Sequence, residues 1–511
     1  MSDIKECIMK GLIAPLLIGA TLATSNVFAD DSLKAEIEAL KAQMAELKKA
    51  QEKIDVSALS KQLSEVKAHD AGDNIKWSVD MRTAYDVLDY KIKDAEDKSN
   101  SLWTNKLTLG MAAQPMDNLV FHGALGFYKT FGQSNIASTS MFQGFDWYSN
   151  QKPQGENTIK LRQAYFLYFG QIGDVPYTAS FGRRPSVDGF MTNLRADNAH
   201  PESPIGHNIN MEFDGASFKF DLENVTGLMG FYAKICLGRG FSNTTGSYSM
   251  NMATGGFNPA YINDSYNPDM DLAGLLMQVY NDGQYKVMAN IFQGWNMMGV
   301  SMSPTQIGTD AVTGNPVYST TPGMSFTDVG DMTGGALSVQ INGIGDEIND
   351  FLDDTIAFAS FAWSRTDPNK NIVGFNNAGT INYANLGMLG STKSQTGTSY
   401  YVGVNMPAFM DSDRIGLEYN HGSKYWRSYT YGEDTLVGSK LATRGDAYEI
   451  YYSFPVVGKN LTGQIRYTYI DYDYTGSDMF FGQTGTPMDV DTTPGAVKSA
   501  SDLRLSLRYR Y

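Results

Sequence analysis

Cysteine and histidine are scarce: the 511-residue chain has 2 of the first and 5 of the second. Cys7 falls in an N-terminal segment expected to be removed, which leaves Cys236 alone and rules out an intrachain disulfide. A small disulfide-stapled extracellular domain is thereby excluded. Bases are also in deficit, 40 against 55 acids, for a net charge of -15. Phosphate contacts need a basic surface, so a nucleic-acid binder is excluded. Beyond the N-terminus no run stays apolar for the roughly 18 residues that a spanning helix needs. Any membrane role must then come from a β-barrel, because only helices and closed barrels satisfy their backbone polar groups in lipid.

What is abundant is 30 Tyr, 26 Phe and 51 Gly, a composition of strands and turns. The N-terminus carries Lys5 and Lys10, the apolar run GLIAPLLIGATLA (11–23) and Val27-Phe28-Ala29 before Asp30. This is the order of a secretory signal over 1–29, cleaved after Ala29, and Met9 opens a more typical signal than Met1 does. The run is short and holds Pro15, which argues against an anchor.

From Leu33, LKAEIEALKAQMAELKKAQEKI places Leu33, Ile37, Leu40, Met44, Leu47 and Ile54 at steps of four and three, with only Gln51 out of pattern. A periplasmic coiled coil over 30–67 is expected, and with it self-association, because so short a helix is marginal alone. AHDAGDN carries the linker 68–74.

After Asn74 the texture changes to sixteen segments with period two, separated alternately by short turns and long loops. They begin at Trp77, Val79 and Met81 and end at LRLSLRYRY; segments eight and eleven, LAGLLMQVY and TIAFASFAW, are apolar on both faces. An even strand number, short turns at one rim and long loops at the other predict an all-β antiparallel transmembrane barrel of about 16 strands over 75–511. Trp77, Tyr177, Trp363, Tyr400, Tyr469 and Tyr509 sit near segment ends, where interfacial girdles belong. A propeller would show an internal repeat, and none is visible.

The terminal strand resembles the C-terminal targeting element of Gram-negative outer-membrane barrels. By that resemblance Leu505, Leu507, Tyr509 and Tyr511 would be read by the barrel-assembly machinery. The plan of signal, coiled coil and barrel resembles phosphate- and oxoanion-selective porins, which implies a trimer of sixteen-stranded barrels. SFGRRPS (180–186), EYNHGSKYW (418–426) and SKLATRG (439–445) are similar to an uncharacterised family of such barrels in sulfur- and metal-metabolising proteobacteria. That likeness covers most of the chain and brings no assigned activity. The motifs do not match the porin families residue by residue, so no selectivity residue is carried over.

If the apolar faces meet lipid, parity points Lys76, Arg82, Lys106, Lys160, Arg162, Lys219, Lys234, Arg414, Arg466, Arg504, Arg508 and Arg510 into the lumen. Inward acids are fewer: Asp80, Asp221, Glu418 and Glu449. The remaining acids concentrate in turns, loops and the coiled coil, and the clusters NDSYNPDMD and DYDYTGSD read as solvated loops. A basic wall favours anions, so a modest anion preference is expected.

The histidines point to no enzyme. His421 and Ser423 are close in sequence, but a turn explains them better than a nucleophile pair. His200, Glu202 and His207 have no zinc-site spacing, and NDSYNPDMD (263–271) and DYDYTGSD (471–478) lack that of an EF-hand. No cofactor or metal is expected. The expectation is a cell outer membrane porin, a passive channel for small hydrophilic solutes, in contact with lipid and lipopolysaccharide and assembled as a homo-oligomer. The alternative is a structural or adhesive barrel whose loops plug the lumen.

Overall fold

The structure, a computed structural model, describes residues 75–132, 147, 151–153, 157–198, 200–242, 250–251, 253, 255–257, 269–303, 306–309, 316–318, 323–345, 348–369, 389–410, 412–477 and 486–511. The signal 1–29, the coiled coil 30–67 and the linker 68–74 lie outside these residues.

Sixteen antiparallel strands close into one barrel. They are β1 Lys76–Ile92, β2 Lys98–Met116, β3 Leu119–Thr130, β4 Lys160–Ile172, β5 Val175–Arg184, β6 Phe213–Asp221, β7 Tyr232–Phe241 and β8 Met270–Asn281. The second half is β9 Tyr285–Trp295, β10 Gly330–Asn342, β11 Ile356–Pro368, β12 Thr396–Pro407, β13 Arg414–Gly422, β14 Gly445–Val457, β15 Leu461–Tyr472 and β16 Val497–Arg510. Each alternating segment of the sequence falls on one of them. Closure joins the ends of the chain: β16 pairs with β1, and Val79 and Tyr511 exchange two backbone hydrogen bonds of 2.9 Å. The barrel sheet itself has no open edge, as lipid requires.

Period two sorts the faces. On β16, Leu503, Leu505, Leu507 and Tyr509 point outward and are exposed, whereas Asp502 and Arg504 point inward and are buried. Outward aromatics line up across neighbouring strands near the long-loop rim. Tyr85, Trp103 and Phe131 stack at centroid distances of 4.8 and 6.0 Å, and Tyr419, Tyr448 and Tyr469 at 5.2 and 6.5 Å. These rows are the interfacial girdle of an outer-membrane barrel. A closed barrel with an apolar outer face places the protein in the outer membrane.

The short turns, such as 173–174 and 282–284, share one rim with Ile75 and Tyr511, and the long loops occupy the other. Two long loops, 185–212 and 423–444, fold down into the barrel. Phe190, Met191 and Ile205 of the first and Trp426 and Leu441 of the second form one buried cluster with Leu276, Met288, Phe358 and Tyr401 of the wall. Ile209, Met211, Tyr429 and Tyr431 form another with Leu272, Phe292 and Met332. The two loops also pair with each other. Tyr429 N–H donates to the Asn208 carbonyl at 2.9 Å, and Asn210 N–H to the Tyr429 carbonyl at 2.6 Å.

Glycine permits the close approach at two places. A Cβ on Gly432 would lie 2.5 Å from the Asn210 carbonyl oxygen, and one on Gly397 of β12 would lie 2.2 Å from the Trp426 nitrogen. Any side chain there would force the loops apart or off the wall.

Candidate functional site

The site is the charged interior where the two inner loops meet the wall. Glu418 on β13 and Glu449 on β14 stand directly opposite each other in register. Two buried carboxylates so placed need a cation. Lys440 of loop 423–444 supplies it, bonding to both. Arg195 of loop 185–212 adds a second, with Nη1 2.5 Å from Glu433 and 3.6 Å from Glu449. Arg466 of β15 completes the group, 3.9 Å from Glu449. Side chains in this group are at most 4% exposed, and its three bases balance its three acids.

One residue further along the loop, Asp434 reaches the neighbouring stretch of wall. Its carboxylate accepts from Arg82 at 2.6 Å, Lys106 at 3.2 Å and Arg504 at 3.0 Å, which come from β1, β2 and β16. Burial alone would raise its pKa, but these cations hold it well below the usual carboxylate range. Arg504 also grips Asp86 of the wall. The main chain is clamped as well: the Asp434 carbonyl accepts from Arg466 at 2.9 Å, and the Thr435 carbonyl from Lys152 at 2.5 Å.

Loop 185–212 runs to the short-turn mouth. Arg508 donates to the Ala196 carbonyl and Arg510 to the Asp197 carbonyl, at 2.5 and 2.6 Å, while Arg508 Nε also pairs with Asp80 at 2.8 Å. Higher up, His207 pins the loop to β11 and β12 through Ser360 at 2.8 Å and Ser399 at 2.9 Å. Ser399 donates to Asn420 Oδ1 at 3.0 Å, so it accepts from His207 Nε2–H. Nδ1 is then left to accept from Ser360, which makes His207 a neutral pin. Burial pushes its pKa down to about 3 from an ordinary 6.5.

The other sequence-selected bases divide by position. Arg162 pairs with Glu212 at 3.0 Å, Lys219 with Asp221 at 2.6 Å, and Arg414 bonds Asn405 at 2.6 Å near the short-turn rim. Lys76 is exposed at the start of β1, and Lys160 and Lys234 are half-buried. Among the described residues no group of three metal-ligating side chains gathers. His421 lies against Asp446 at 2.9 Å and stacks on Tyr400. Ser423 instead accepts from Thr398 N–H, so His421 and Ser423 form no pair.

Three acids of the inner loops are not solvated. Glu433, Asp434 and Glu212 are buried counter-ions of the basic wall, and sequence reasoning missed them together with Arg195 and Lys440. A signal existed: GSKYWRSYTYGEDTLVG (422–438) holds four aromatics, Tyr425, Trp426, Tyr429 and Tyr431, too many for a solvated loop.

Polar space remains beside the plug. A cavity of about 80 Å³ runs along β15, β16, β1 and β2, lined by Arg82, Lys106, Arg162, Arg195, Arg466 and Arg508 against Asp80, Asp188, Asp197 and Asp434. A vestibule of about 620 Å³ at the short-turn mouth shares Asp197, Ser453 and Thr462 with it, so the two adjoin.

A family model matches residues 96–511, that of a protein of unknown function (DUF3373). The chain belongs to the DUF3373 family. No curated protein matches the sequence. Solved structures similar to this family member include an anion-selective porin from Comamonas acidovorans, with 10% identity and a TM-score of 0.44, over 86% of this chain and 100% of that one. OprB of Pseudomonas putida gives 13% and 0.41 over 88% and 96%, and OmpT of Vibrio cholerae 12% and 0.39 over 86% and 99%. These likenesses carry no solute over to the DUF3373 chain.

Lys440→Met should lower unfolding free energy by about 3–5 kcal/mol, because Glu418 and Glu449 would face each other without their shared cation. Denaturant titration in detergent checks this, and a loss below about 1 kcal/mol would contradict the pairing. For His207 the unfolded ring binds protons that the folded ring does not, between its ordinary 6.5 and about 3. Its stabilising effect is therefore complete above that window and declines as pH falls through it. His207→Gln should flatten the stability profile between those values; an unchanged profile would refute the neutral pin.

Proposed function

We propose that this protein is an outer-membrane channel of the porin type for small hydrophilic solutes, narrowed by two inner loops and modestly anion-preferring. The observation that carries this is the polar strip left between the plug and the wall. Six bases face four acids around it, and it adjoins an open vestibule. Excess positive charge in a low-dielectric passage concentrates anions. At about 80 Å³ the cavity is far smaller than the vestibule of about 620 Å³ that it adjoins, so large solutes need the loops to shift.

A second reading, a structural or adhesive barrel with a closed lumen, is favoured by the burial of both inner loops and their backbone pairing. In either reading the segment 30–67 associates subunits into a homo-oligomer, a trimer by the porin resemblance. Outward-facing Leu505, Leu507, Tyr509 and Tyr511 serve the assembly machinery, and the loop rim meets lipopolysaccharide.

Planar-bilayer recording in a potassium chloride gradient tests the proposal. Small steady steps with a reversal potential on the chloride side are expected, moving toward potassium in Arg508→Glu. A wild-type preference for potassium would overturn the selectivity. Complete absence of steps, including after removal of 427–441, would establish the closed barrel.

A further inference from the structure

Arg82 and Lys106 are register partners on β1 and β2, directly opposite each other. Both lie over the ring of Tyr128, 5.6 and 5.5 Å from its centroid. Like charges so placed repel. On β16 the wall answers its own bases: Asp86 pairs with Arg504, and Asp80 with Arg508. For Arg82 and Lys106 it supplies no carboxylate. Among the described residues the acid within ion-pair reach of either is Asp434, which the loop brings in. That one negative charge serves both bases and is shared with Arg504 as well, which has Asp86 besides. Among the described residues, moreover, Arg82 Nε has no hydrogen-bond partner, and both bases line the polar cavity.

Two cationic donors converging on a pair of carboxylate oxygens have the geometry with which proteins hold oxyanions. We propose that Arg82 and Lys106, over Tyr128, form a binding site for a small multivalent oxyanion. Asp434 occupies it as a tethered stand-in. Oxyanion binding and the inward position of loop 423–444 then exclude each other, and a ligand with two charges compensates both bases where Asp434 compensates one. The consequence for current rests on the channel reading; the binding site does not.

A site occupied by its own loop shows an affinity reduced by the free fraction. Inorganic phosphate titrated calorimetrically into refolded protein, with chloride holding ionic strength constant, should bind Asp434→Asn at least about tenfold more tightly than wild type. Asp434→Glu should behave as wild type, and Arg82→Gln added to Asp434→Asn should abolish the gain. Equal affinity in wild type and Asp434→Asn, or a gain that survives Arg82→Gln, would overturn the proposal. Wild type alone gives an independent reading. Phosphate, compared with chloride at equal ionic strength, should speed tryptic cleavage after Arg427 or Lys440 severalfold, and no acceleration would contradict the competition. A silent bilayer with tighter phosphate binding in Asp434→Asn would sink the channel and leave this site standing.

Discussion

Charge buried between the inner loops and the barrel wall must be paired, and most of what distinguishes this protein follows from that constraint. Glu418 and Glu449 on the wall cannot both ionise in a buried lumen without Lys440, and Arg82 and Lys106 cannot sit side by side without Asp434. Removing one member of such a group leaves an uncompensated buried charge, which costs far more than an exposed pair contributes. The wall and the inner loops therefore specify each other. The loops carry the counter-ions, and the wall fixes where each one lands.

Apolar packing supports the same arrangement. Loop residues Phe190, Met191, Ile205, Trp426 and Leu441 are at most 1% exposed, so the inner loops have a core of their own against the wall. Ion pairs set the register of that packing, since hydrophobic contact alone is non-directional. Gly397 and Gly432 remove the two side chains that would hold the layers apart.

The strands were legible because period two is local: LRLSLRYRY states its two faces without reference to any other part of the chain. The inner loops were not, because a loop has no periodicity to betray its burial. One clue lay in the strands themselves. Segments eight and eleven read as apolar on both faces, and the inner faces carry Leu272, Leu276, Phe358 and Ala362. Water does not line such a wall; the inner loops do. Parity also selected Arg82, Lys106, Arg466 and Arg504 as inward bases, but their shared loop partner Asp434 is separated from them by up to 352 residues. Pairing at that range depends on where a loop folds, which no local pattern encodes. The motifs EYNHGSKYW and SKLATRG prove to be the two ends of one inner loop, with Lys440 and the strand-borne Glu418 among their residues.

Amide hydrogen exchange over 427–441 in the folded, detergent-solubilised protein tests the buried plug most directly. The account predicts protection comparable to the barrel strands, because the loop is buried and its carbonyls are clamped by Lys152 and Arg466. Exchange at the rate of a solvated surface loop would contradict it.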